Sequence, residues 1–283
     1  MKQKLFLFLF GLLLSTCSYA QKVSGIESMP IKLVSKNVYD TAHVLVYYEY
    51  EMLRDSLSPK SKRLGQTILM IGDTYCSFDD YFHWKLDSLN DAYCREKRSS
   101  MELFTQGLAM GHSECPYTVV KSNAKGQATV LLQTLVAYQY TQPLPKIAWI
   151  LEEGDSTFLG VSCSKATCEF GGRKWTAWYS ADYPIFYGPY LFDGLPGLIF
   201  VLEEDKGNFK FTMNGLVNDA QGKEVYLRKP SKLLETTREK ALEAFRKVSI
   251  DPTTIMTQVY HTIVPDGHLA DFANNPYNPI EKE

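Results

Sequence analysis

The residues of this chain that most often carry out chemistry do not form a known catalytic or metal-binding pattern. No two histidines have the His-x-His or His-x-x-x-His spacing of a local metal site. Neither a Gly-x-Ser-x-Gly elbow nor a cysteine-nucleophile signature occurs. The nearest approach to a cluster is His83 with Asp79 and Asp80, which we interpret as the surface of a helix. The sequence therefore predicts no catalytic residue, no metal site and no cofactor.

The densest chemical signal is a run of aromatic residues, since eight of the eighteen residues from 175 to 192 carry rings. In a strand, Trp175 and Tyr179 would lie on one face and Trp178 on the other. Either a helix or loop covers that second face, or its rings form a ligand platform with Trp178 and Tyr190. The full set of candidate ligand-binding residues is Arg173, Trp178, Tyr179, Asp182, Tyr190 and Phe192.

Arg173 and Asp182 are the charged members of this set, and they bracket the same predicted strand. Two interpretations give them a role together: an ion pair, or a pair of groups that hold a polar part of a ligand. The alternative is a solvated surface or turn position for each, which is the usual fate of such charges.

Immediately after the aromatic run comes a glycine- and proline-containing motif, with Leu198 and Ile199 leading into a strand. It lacks the Gly-Lys-Ser/Thr ending of a phosphate loop and the strand–helix setting of a dinucleotide site. Turn chemistry explains its residue types, because glycine permits unusual backbone angles and proline fixes φ. We interpret it as a structural motif, with a ligand-facing loop as the alternative; its residues are Gly194, Leu195, Pro196, Gly197, Leu198 and Ile199.

This block resembles the GLPGLI family, which is named for the hexapeptide at residues 194–199. The resemblance extends to Trp-Thr-Ala-Trp-Tyr at 175–179, to Gly-Val-Ser-Cys-Ser-Lys-Ala at 160–166, where Val161 replaces the family's aromatic residue, and to Asn-Pro-Ile-Glu at 278–281. It implies an exported protein of Bacteroidota bacteria, often associated with outer-membrane transport systems. It implies no established enzymatic activity.

The first twenty residues are typical of a secretory signal peptide. Lys2 and Lys4 precede an apolar run of ten residues, and small residues follow up to Ala20, so we expect cleavage before Gln21. The apolar run covers roughly 15 Å as a helix, too little for a stable membrane anchor. An alternative is a lipoprotein signal with Cys17 acylated. We expect a periplasmic protein, with outer-membrane association or secretion as alternatives.

Composition favours one folded β-rich domain over residues 21–264, followed by an irregular tail over 265–283. The chain is 45% hydrophobic and 13% aromatic, enough for a sizeable core, and its net charge of −2 shows no nucleic-acid or polybasic membrane footprint. No segment of the mature chain is predicted to span a membrane.

Five cysteines remain after the predicted cleavage, in a compartment that permits disulfides. The odd number leaves at least one free thiol, and no Cys-x-x-Cys redox motif occurs. We expect one structural disulfide among Cys76, Cys94 and Cys115.

Apolar residues at alternate positions predict many short strands joined by tight turns, which indicates antiparallel meanders. The predicted strands are Val44–Tyr50, Thr67–Gly72, Ala128–Tyr140, Ile147–Leu151, Thr157–Cys163, Lys165–Phe170, Arg173–Tyr179, Leu198–Glu203, Phe209–Asn214 and Val225–Arg228. Helices are predicted over residues 79–97, with an extension to Leu108, and from the capping box Thr236-Thr237-Arg238-Glu239 onward. The expected fold is mainly β (α+β): a single antiparallel, curved sheet, like the half barrel of lipoprotein carriers, with one or two packed helices.

Export, many strands and surplus aromatic residues together favour a non-enzymatic cell-envelope protein. The expected partner is an apolar or peptide-like ligand, or an outer-membrane transport or assembly protein. The alternative is an envelope hydrolase whose site is assembled from residues distant in sequence, because catalytic groups need only converge in space. A dry apolar cavity would favour binding, and a polar cleft that joins a histidine with a carboxylate would favour catalysis.

Overall fold

The structure, a computed structural model, describes residues 30–251 and 276–282, without the side chain of Gln221. It contains one large β-sheet and three α-helices. The strands are β1 Lys36–Leu53, β2 Lys62–Ile71, β3 Cys76–Asp80, β4 Tyr117–Ser122, β5 Gln127–Gln133, β6 Ala137–Pro143, β7 Ile150–Phe158, β8 Val161–Phe170, β9 Arg173–Ser180, β10 Leu198–Glu204, β11 Phe209–Arg228 and β12 Leu233–Glu235. The helices are α1 Tyr81–Arg95, α2 Ser100–Ala109 and α3 Arg238–Ile250, and a short 3-10 helix covers Pro59–Ser61.

All twelve strands belong to a single sheet in the order β12-β6-β5-β4-β3-β2-β1-β11-β10-β9-β8-β7. Neighbouring strands are antiparallel except for β12, which pairs with β6 in parallel. The longest strands are β1 and β11, at 18 and 20 residues, and they pair next to the middle of the sheet. The prediction of a mainly β fold built on one sheet is confirmed, and the structure adds a third helix and the parallel edge strand.

The sheet is strongly curled, and the connection between β6 and β7 requires this. These strands stand ten positions apart in the sheet order, which is about 48 Å in a flat sheet. Only residues 144–149 join them, and a connection of that length covers at most about 25 Å. The sheet therefore bends until its two sides approach each other, yet it stays open, with β12 and β7 as its edges.

The inner face of the curled sheet carries the main hydrophobic core. The connection between β9 and β10, residues 181–197, enters this face and contacts both sides of the sheet: residues 188–193 and Leu195 are buried in it, whereas Asp182 and Phe186 are exposed. Tyr190 packs against Tyr117 of β4, with ring centroids 5.1 Å apart, and Phe192 packs against Trp175 of β9 at 4.7 Å. We call residues 181–197 the inner loop. Because it fills the space that the sheet encloses, the inner face holds packed side chains instead of an open apolar cavity.

The outer face is covered by α1 and by the far ends of β1 and β11. Trp84 of α1 packs near Ile68, whose side chain faces away from the main core. The first part of β1 pairs with β11 alone, and this ribbon folds across β3 and β4, so that Arg228 reaches Asp79 and Thr118. The two faces are thus closed by different parts of the chain.

At one end of the sheet, α3 and residues 276–282 pack against the strand ends. The amide of Lys282 donates to the Gly171 carbonyl at 2.7 Å, and Ile280 is 1% exposed. Ala241 and Leu242 of α3 are buried in the main core. The described part of the predicted irregular tail has no helix or strand but is anchored in the protein, and residues 265–275 lie outside the described residues.

The predicted helices are present, with different bounds. The first begins at Tyr81, because Asp79 and Asp80 belong to β3, and the Asp80 side chain accepts a hydrogen bond from the Phe82 amide at 2.8 Å. The extension to Leu108 is a separate helix, α2. The helix after Thr237 is confirmed as α3, and its cap accepts from the Lys240 amide at 3.4 Å. Within the described residues, no helix is both long and apolar enough to cross a membrane.

Strand predictions fail where alternation is missing. β4 is buried at every position, so its sequence carries no two-residue period, and the pattern misses both β3 and β4. Residues 128–140 form two strands, β5 and β6, with a turn between them. Conversely, the predicted strands at Phe209–Asn214 and Val225–Arg228 are the two ends of β11.

The expected disulfide among Cys76, Cys94 and Cys115 is not formed, since all three are free thiols. Cys76 begins β3, and the amide of Cys115 donates to Asp80 at the other end of that strand. The two ends of β3 are about 13 Å apart, whereas a disulfide needs Cα atoms within about 7 Å. Cys94 lies on α1 over the outer face, while Cys76 belongs to the inner core.

Candidate functional site

The signal-peptide residues of the sequence interpretation lie outside the described residues, but every candidate ligand residue is described. Lys121, which the sequence did not single out, holds the inner loop from β4. Its ammonium is fully buried and donates to the carbonyls of Gly188 and Tyr190 at 2.9 and 2.8 Å and to Asp193 Oδ1 at 2.5 Å. Burial raises the pKa of Asp193, and the charge of Lys121 opposes that rise. All three ammonium protons are used within the chain, so this pair anchors the loop and offers nothing to a ligand.

The glycines of the Gly-Leu-Pro-Gly motif have separate structural reasons. Gly194 has φ of +93°, a left-handed conformation that favours glycine. At Gly197, an added Cβ would lie 2.1 Å from the carbonyl oxygen of Ser180, so only glycine allows this approach of β10 to the end of β9. Leu195 between them is buried, and Leu198 begins β10. The geometry accounts for this motif without a ligand.

The candidate aromatic residues Tyr179, Tyr190 and Phe192 are buried in the core, at 6%, 0% and 0% exposure. The Tyr190 hydroxyl donates to Glu281 Oε1 at 2.5 Å. The other oxygen of Glu281 lies 2.9 Å from a guanidinium nitrogen of Arg238. These rings hold the inner loop and the C-terminal segment together and are not accessible to a ligand in this structure.

Arg173 is also buried, at 4% exposure, and its donors are satisfied by its own chain. It lies 3.2 Å from a Glu204 oxygen and donates to the side-chain oxygen of Asn278 and to the Pro279 carbonyl, both at 2.6 Å. Asp182 is exposed beyond the opposite end of β9, so the ion pair between Arg173 and Asp182 that the sequence left open is not formed.

Trp178 lies on the outer side of β9, half-buried, with its ring centroid 5.8 Å from that of Phe158. The predicted alternation along β9 is therefore present, since Trp175 and Tyr179 face the core. Trp178 and Tyr190, however, lie on different sides of the sheet. The structure does not bring the six candidate ligand residues together.

A cleft that the sequence did not indicate opens beside α3, at the end of the sheet that the C-terminal segment packs against. We call it the end cleft; its volume is about 440 Å³, within the range of small-ligand sites. Apolar residues from three parts of the chain contribute to its lining, among them Met52, Phe245 and Val248. The Phe245 ring packs against Tyr117, with centroids 6.2 Å apart, which fixes this wall of the cleft.

Charged and polar groups line the same cleft: Arg54, His83 and Glu114. Arg54 is exposed, and its guanidinium makes no ion pair with any residue in the described part of the chain. Glu114, by contrast, lies 2.8 Å from the His112 ring. An apolar lining beside an unpaired guanidinium suits a ligand that carries an apolar body and an anionic group.

His83 connects the end cleft with a buried cluster on the outer face. Its Nδ1 lies 3.7 Å from Asp79 Oδ1, longer than a hydrogen bond, and Asp79 is 1% exposed. Burial alone raises the pKa of Asp79, but Arg228, His83 and Thr118 outweigh that effect and leave the pKa lowered. A histidine beside a carboxylate is therefore present at the cleft. The interpretation of Asp79 and Asp80 as helix-surface residues is wrong, because both are buried at the end of β3.

The same cluster contains Asp87 of α1. Burial raises the pKa of Asp87 to about 6, against the opposing charge of Arg228, and the nearby charge of Asp79 adds to the rise. The Tyr226 hydroxyl donates to Asp87 at 2.9 Å. Arg228 Nε lies 3.5 Å from the same carboxylate. One guanidinium thus compensates two buried carboxylates.

Sequence reasoning missed the lining of the end cleft because no local pattern unites it. Its residues come from the ends of strands and helices that meet only after the sheet has curled. Lys121 did leave a signal, a lysine directly after the largely apolar run Tyr117–Val120, because a charge in such a strand requires a buried partner.

Comparison with known proteins places this chain only distantly. No family model and no characterised protein sequence matches it, so the resemblance to the GLPGLI family stays a prediction. Similar solved structures include PNGF-II in the P21 and C2 space groups, at 9% and 10% sequence identity, with a TM-score of 0.45 in both cases. Each match covers 73% of this chain and 33% of the PNGF-II chain, so this chain spans about a third of the length of PNGF-II. At this distance the likeness supports no functional inference.

Proposed function

We propose that this chain is an exported cell-envelope protein that binds an apolar or peptide-like ligand in the end cleft, as an accessory factor and not as an enzyme. Export rests on the signal-like first twenty residues and on the resemblance to the GLPGLI family. An outer-membrane transport or assembly system is the partner that this resemblance favours.

The observation that carries the proposal is the pairing of apolar side chains with an unpaired charge on one open cleft. Met52, Phe245 and Val248 offer apolar contact, and Arg54 offers a guanidinium that no described carboxylate neutralises. Burying the apolar part of a ligand against the first three provides the driving force, while Arg54 selects an anionic group such as a peptide carboxylate.

The site differs from that of a carrier that encloses its ligand within a curved sheet. Here the inner loop occupies the enclosed space, and Lys121 anchors it from β4. Release of that space would require breaking a buried ion pair and exposing several fully buried rings. Binding at the open end requires neither change.

A second function has one observation in its favour, the proximity of His83 to Asp79 at the end cleft. A carboxylate near Nδ1 can orient an imidazole so that Nε2 acts as a general base towards a water molecule. This arrangement would suit a hydrolase. The 3.7 Å between His83 Nδ1 and Asp79 Oδ1 is longer than the hydrogen bond that would fix the imidazole, so binding without conversion is the better supported function.

The test uses 1-anilinonaphthalene-8-sulfonate, a fluorescent probe that combines apolar rings with one anionic group. We expect saturable binding to the mature chain, and Val248→Asp should weaken it at least tenfold, because a carboxylate then lies in the apolar lining and repels the sulfonate. Arg54→Ala should weaken it about threefold to tenfold by removing the cation. Native mass spectrometry of protein purified from the periplasm without detergent would identify any retained natural ligand.

Leu159→Asp is the matched control, since Leu159 is 65% exposed in the turn between β7 and β8, away from the cleft. Equal loss of probe binding in this control and in Val248→Asp would contradict the proposal. The hydrolase alternative is tested with p-nitrophenyl butyrate. Turnover that His83→Gln abolishes without changing probe affinity would favour catalysis over binding.

A further inference from the structure

A second cavity lies on the other side of the C-terminal segment from the end cleft, and it is basic. Its volume is about 420 Å³, and Asn278 lines both spaces. The turn between β1 and β2, the turn between β10 and β11, α3 and residues 277–282 all contribute to it. We call it the basic cavity. Its charged lining residues are Arg173, Lys206, Arg246 and Lys282, and none of the described aspartates and glutamates lines it.

Three of these four cations form no ion pair within the described residues, and the only carboxylate whose pKa one of them lowers is Glu243, near Arg246 on α3. Arg173 forms its ion pair with Glu204 below the cavity. Lys206, Arg246 and Lys282 are exposed, and none forms an ion pair with a carboxylate among residues 30–251 and 276–282. In a chain whose net charge is −2, this is a local excess of positive charge, drawn from three separate elements of the fold.

The floor of the basic cavity is rigid, which keeps the cations in place. Asn278 donates to the Leu53 carbonyl at 2.6 Å and to the side chain of Asn208 at 3.2 Å. Asn208 in turn donates to Glu204 at 2.8 Å. These bonds tie the C-terminal segment to two strand turns, so the backbone positions that carry the flanking cations do not depend on a ligand.

The number and geometry of the donors select the anion. A carboxylate carries one charge, whereas a phosphate monoester carries nearly two at neutral pH and has three terminal oxygens that can accept from separate donors. Three cations from three separate elements of the fold match a phosphate monoester better than a carboxylate. Leu57 lines the cavity and is 90% exposed, so it offers an apolar contact to an organic group attached to the phosphate.

We propose that the basic cavity binds a phosphate monoester group through Lys206, Arg246 and Lys282. The site is separate from the end cleft and does not rest on the function proposed for that cleft. Two sources share this chemistry, a soluble phosphorylated metabolite or saccharide and the headgroup of a lipid with a terminal phosphate.

The test is calorimetric titration of the mature chain with glycerol 3-phosphate and, separately, with short-chain dihexanoyl phosphatidic acid below its micelle concentration. We expect saturable binding of glycerol 3-phosphate. The triple variant Lys206→Gln/Arg246→Gln/Lys282→Gln should weaken that binding at least tenfold. Lys60→Gln/Lys146→Gln/Lys229→Gln is the matched control, because it removes the same charge from exposed positions outside the cavity, and it should change affinity less than twofold.

The remaining outcomes are assigned as follows. Absence of saturable binding to the wild-type chain, or equal weakening in the two triple variants, would overturn the proposal. Tighter binding of phosphatidic acid than of glycerol 3-phosphate, lost in the first triple variant, identifies a lipid headgroup as the source, and equal affinities identify a soluble ester. Val248→Asp should leave glycerol 3-phosphate binding unchanged, so the two sites succeed or fail separately.

Discussion

Charged side chains inside the curled sheet have partners within the chain, whereas several at its open end form no ion pair with a described residue. Inside, Lys121 donates three hydrogen bonds to oxygens of the inner loop, and the Glu281 carboxylate accepts hydrogen bonds from Tyr190 and Arg238. At the open end, Arg54 and the three cations of the basic cavity have no ion-pair partner among the described residues. The same residue types therefore serve the fold in one region and remain available in the other.

This difference separates structural charges from functional candidates better than motif or position does. A buried charge without a partner costs several kcal/mol, so the interior retains only charges that the chain itself compensates. An exposed charge costs little, and several like charges around one cavity can persist for a binding purpose. Arg173 illustrates the rule, since it was a sequence candidate for ligand binding and proves to be fully engaged by its own chain.

The largest effect is expected from breaking the interior pair. Lys121→Met removes the ammonium and leaves Asp193 buried without a counter-charge, together with two carbonyls that lose their donor. We expect a loss of about 3 to 5 kcal/mol in the free energy of unfolding, measured by urea denaturation.

The control is Lys60→Met, at an exposed position in the short 3-10 helix, which should change the free energy of unfolding by less than about 0.5 kcal/mol. A loss below about 1 kcal/mol in Lys121→Met would show that the inner loop does not depend on this pair. The idea that interior charges are needed for the fold while those at the open end are not would then be contradicted.

The outer-face cluster should give the next largest effect, as a dependence on pH. Because the pKa of Asp87 is raised to about 6 in the folded protein, the fold holds a proton between about pH 4 and 6 that the unfolded chain releases. The contribution of this group to stability is therefore present below about pH 4 and is lost as the pH rises through 6.

Asp87→Asn removes this titration and keeps an acceptor for the Tyr226 hydroxyl. Relative to the wild type, the variant should gain on the order of 2 kcal/mol in the free energy of unfolding between pH 4 and pH 7. Urea denaturation at several pH values measures the difference. Asp205→Asn, in an exposed turn, should run parallel to the wild type; parallel curves for Asp87→Asn as well would contradict the shifted pKa.

A smaller interior effect is expected at Glu281, which is buried itself but has a half-buried partner in Arg238. Glu281→Gln keeps the shape of the side chain but removes the charge that Tyr190 and Arg238 share. We expect a loss of about 1 to 2 kcal/mol by urea denaturation. Glu235→Gln, exposed in β12, is the control. An equal change in both would mean that the charge of Glu281 does not help to hold the C-terminal segment.

The sequence predicts the class of the fold better than its site, and particular residues show why. Alternation along β9 and the capping residues of α3 are local signals, so Trp175 faces the core and α3 starts after Thr237, as predicted. β4 is not predicted, because a strand that is buried on both faces has no alternation of apolar and polar residues. The end cleft joins Met52, His83 and Val248, which are far apart in sequence and come together only because the sheet curls. No local pattern encodes that juxtaposition.

The smallest effect on stability should come from the open end. Lys206→Ala removes a cation that forms no ion pair among the described residues and has neighbours of the same sign, so its loss should change the free energy of unfolding by less than about 0.5 kcal/mol. If the variant is more stable than the wild type at low ionic strength, the difference in free energy of unfolding should disappear in high salt, because screening removes repulsion between exposed charges. Urea denaturation at two salt concentrations measures both effects. A loss above about 1 kcal/mol would mean that Lys206 already has a structural partner. The contrast between the two regions depends on the opposite result: charges that the fold does not need are those that a ligand can use.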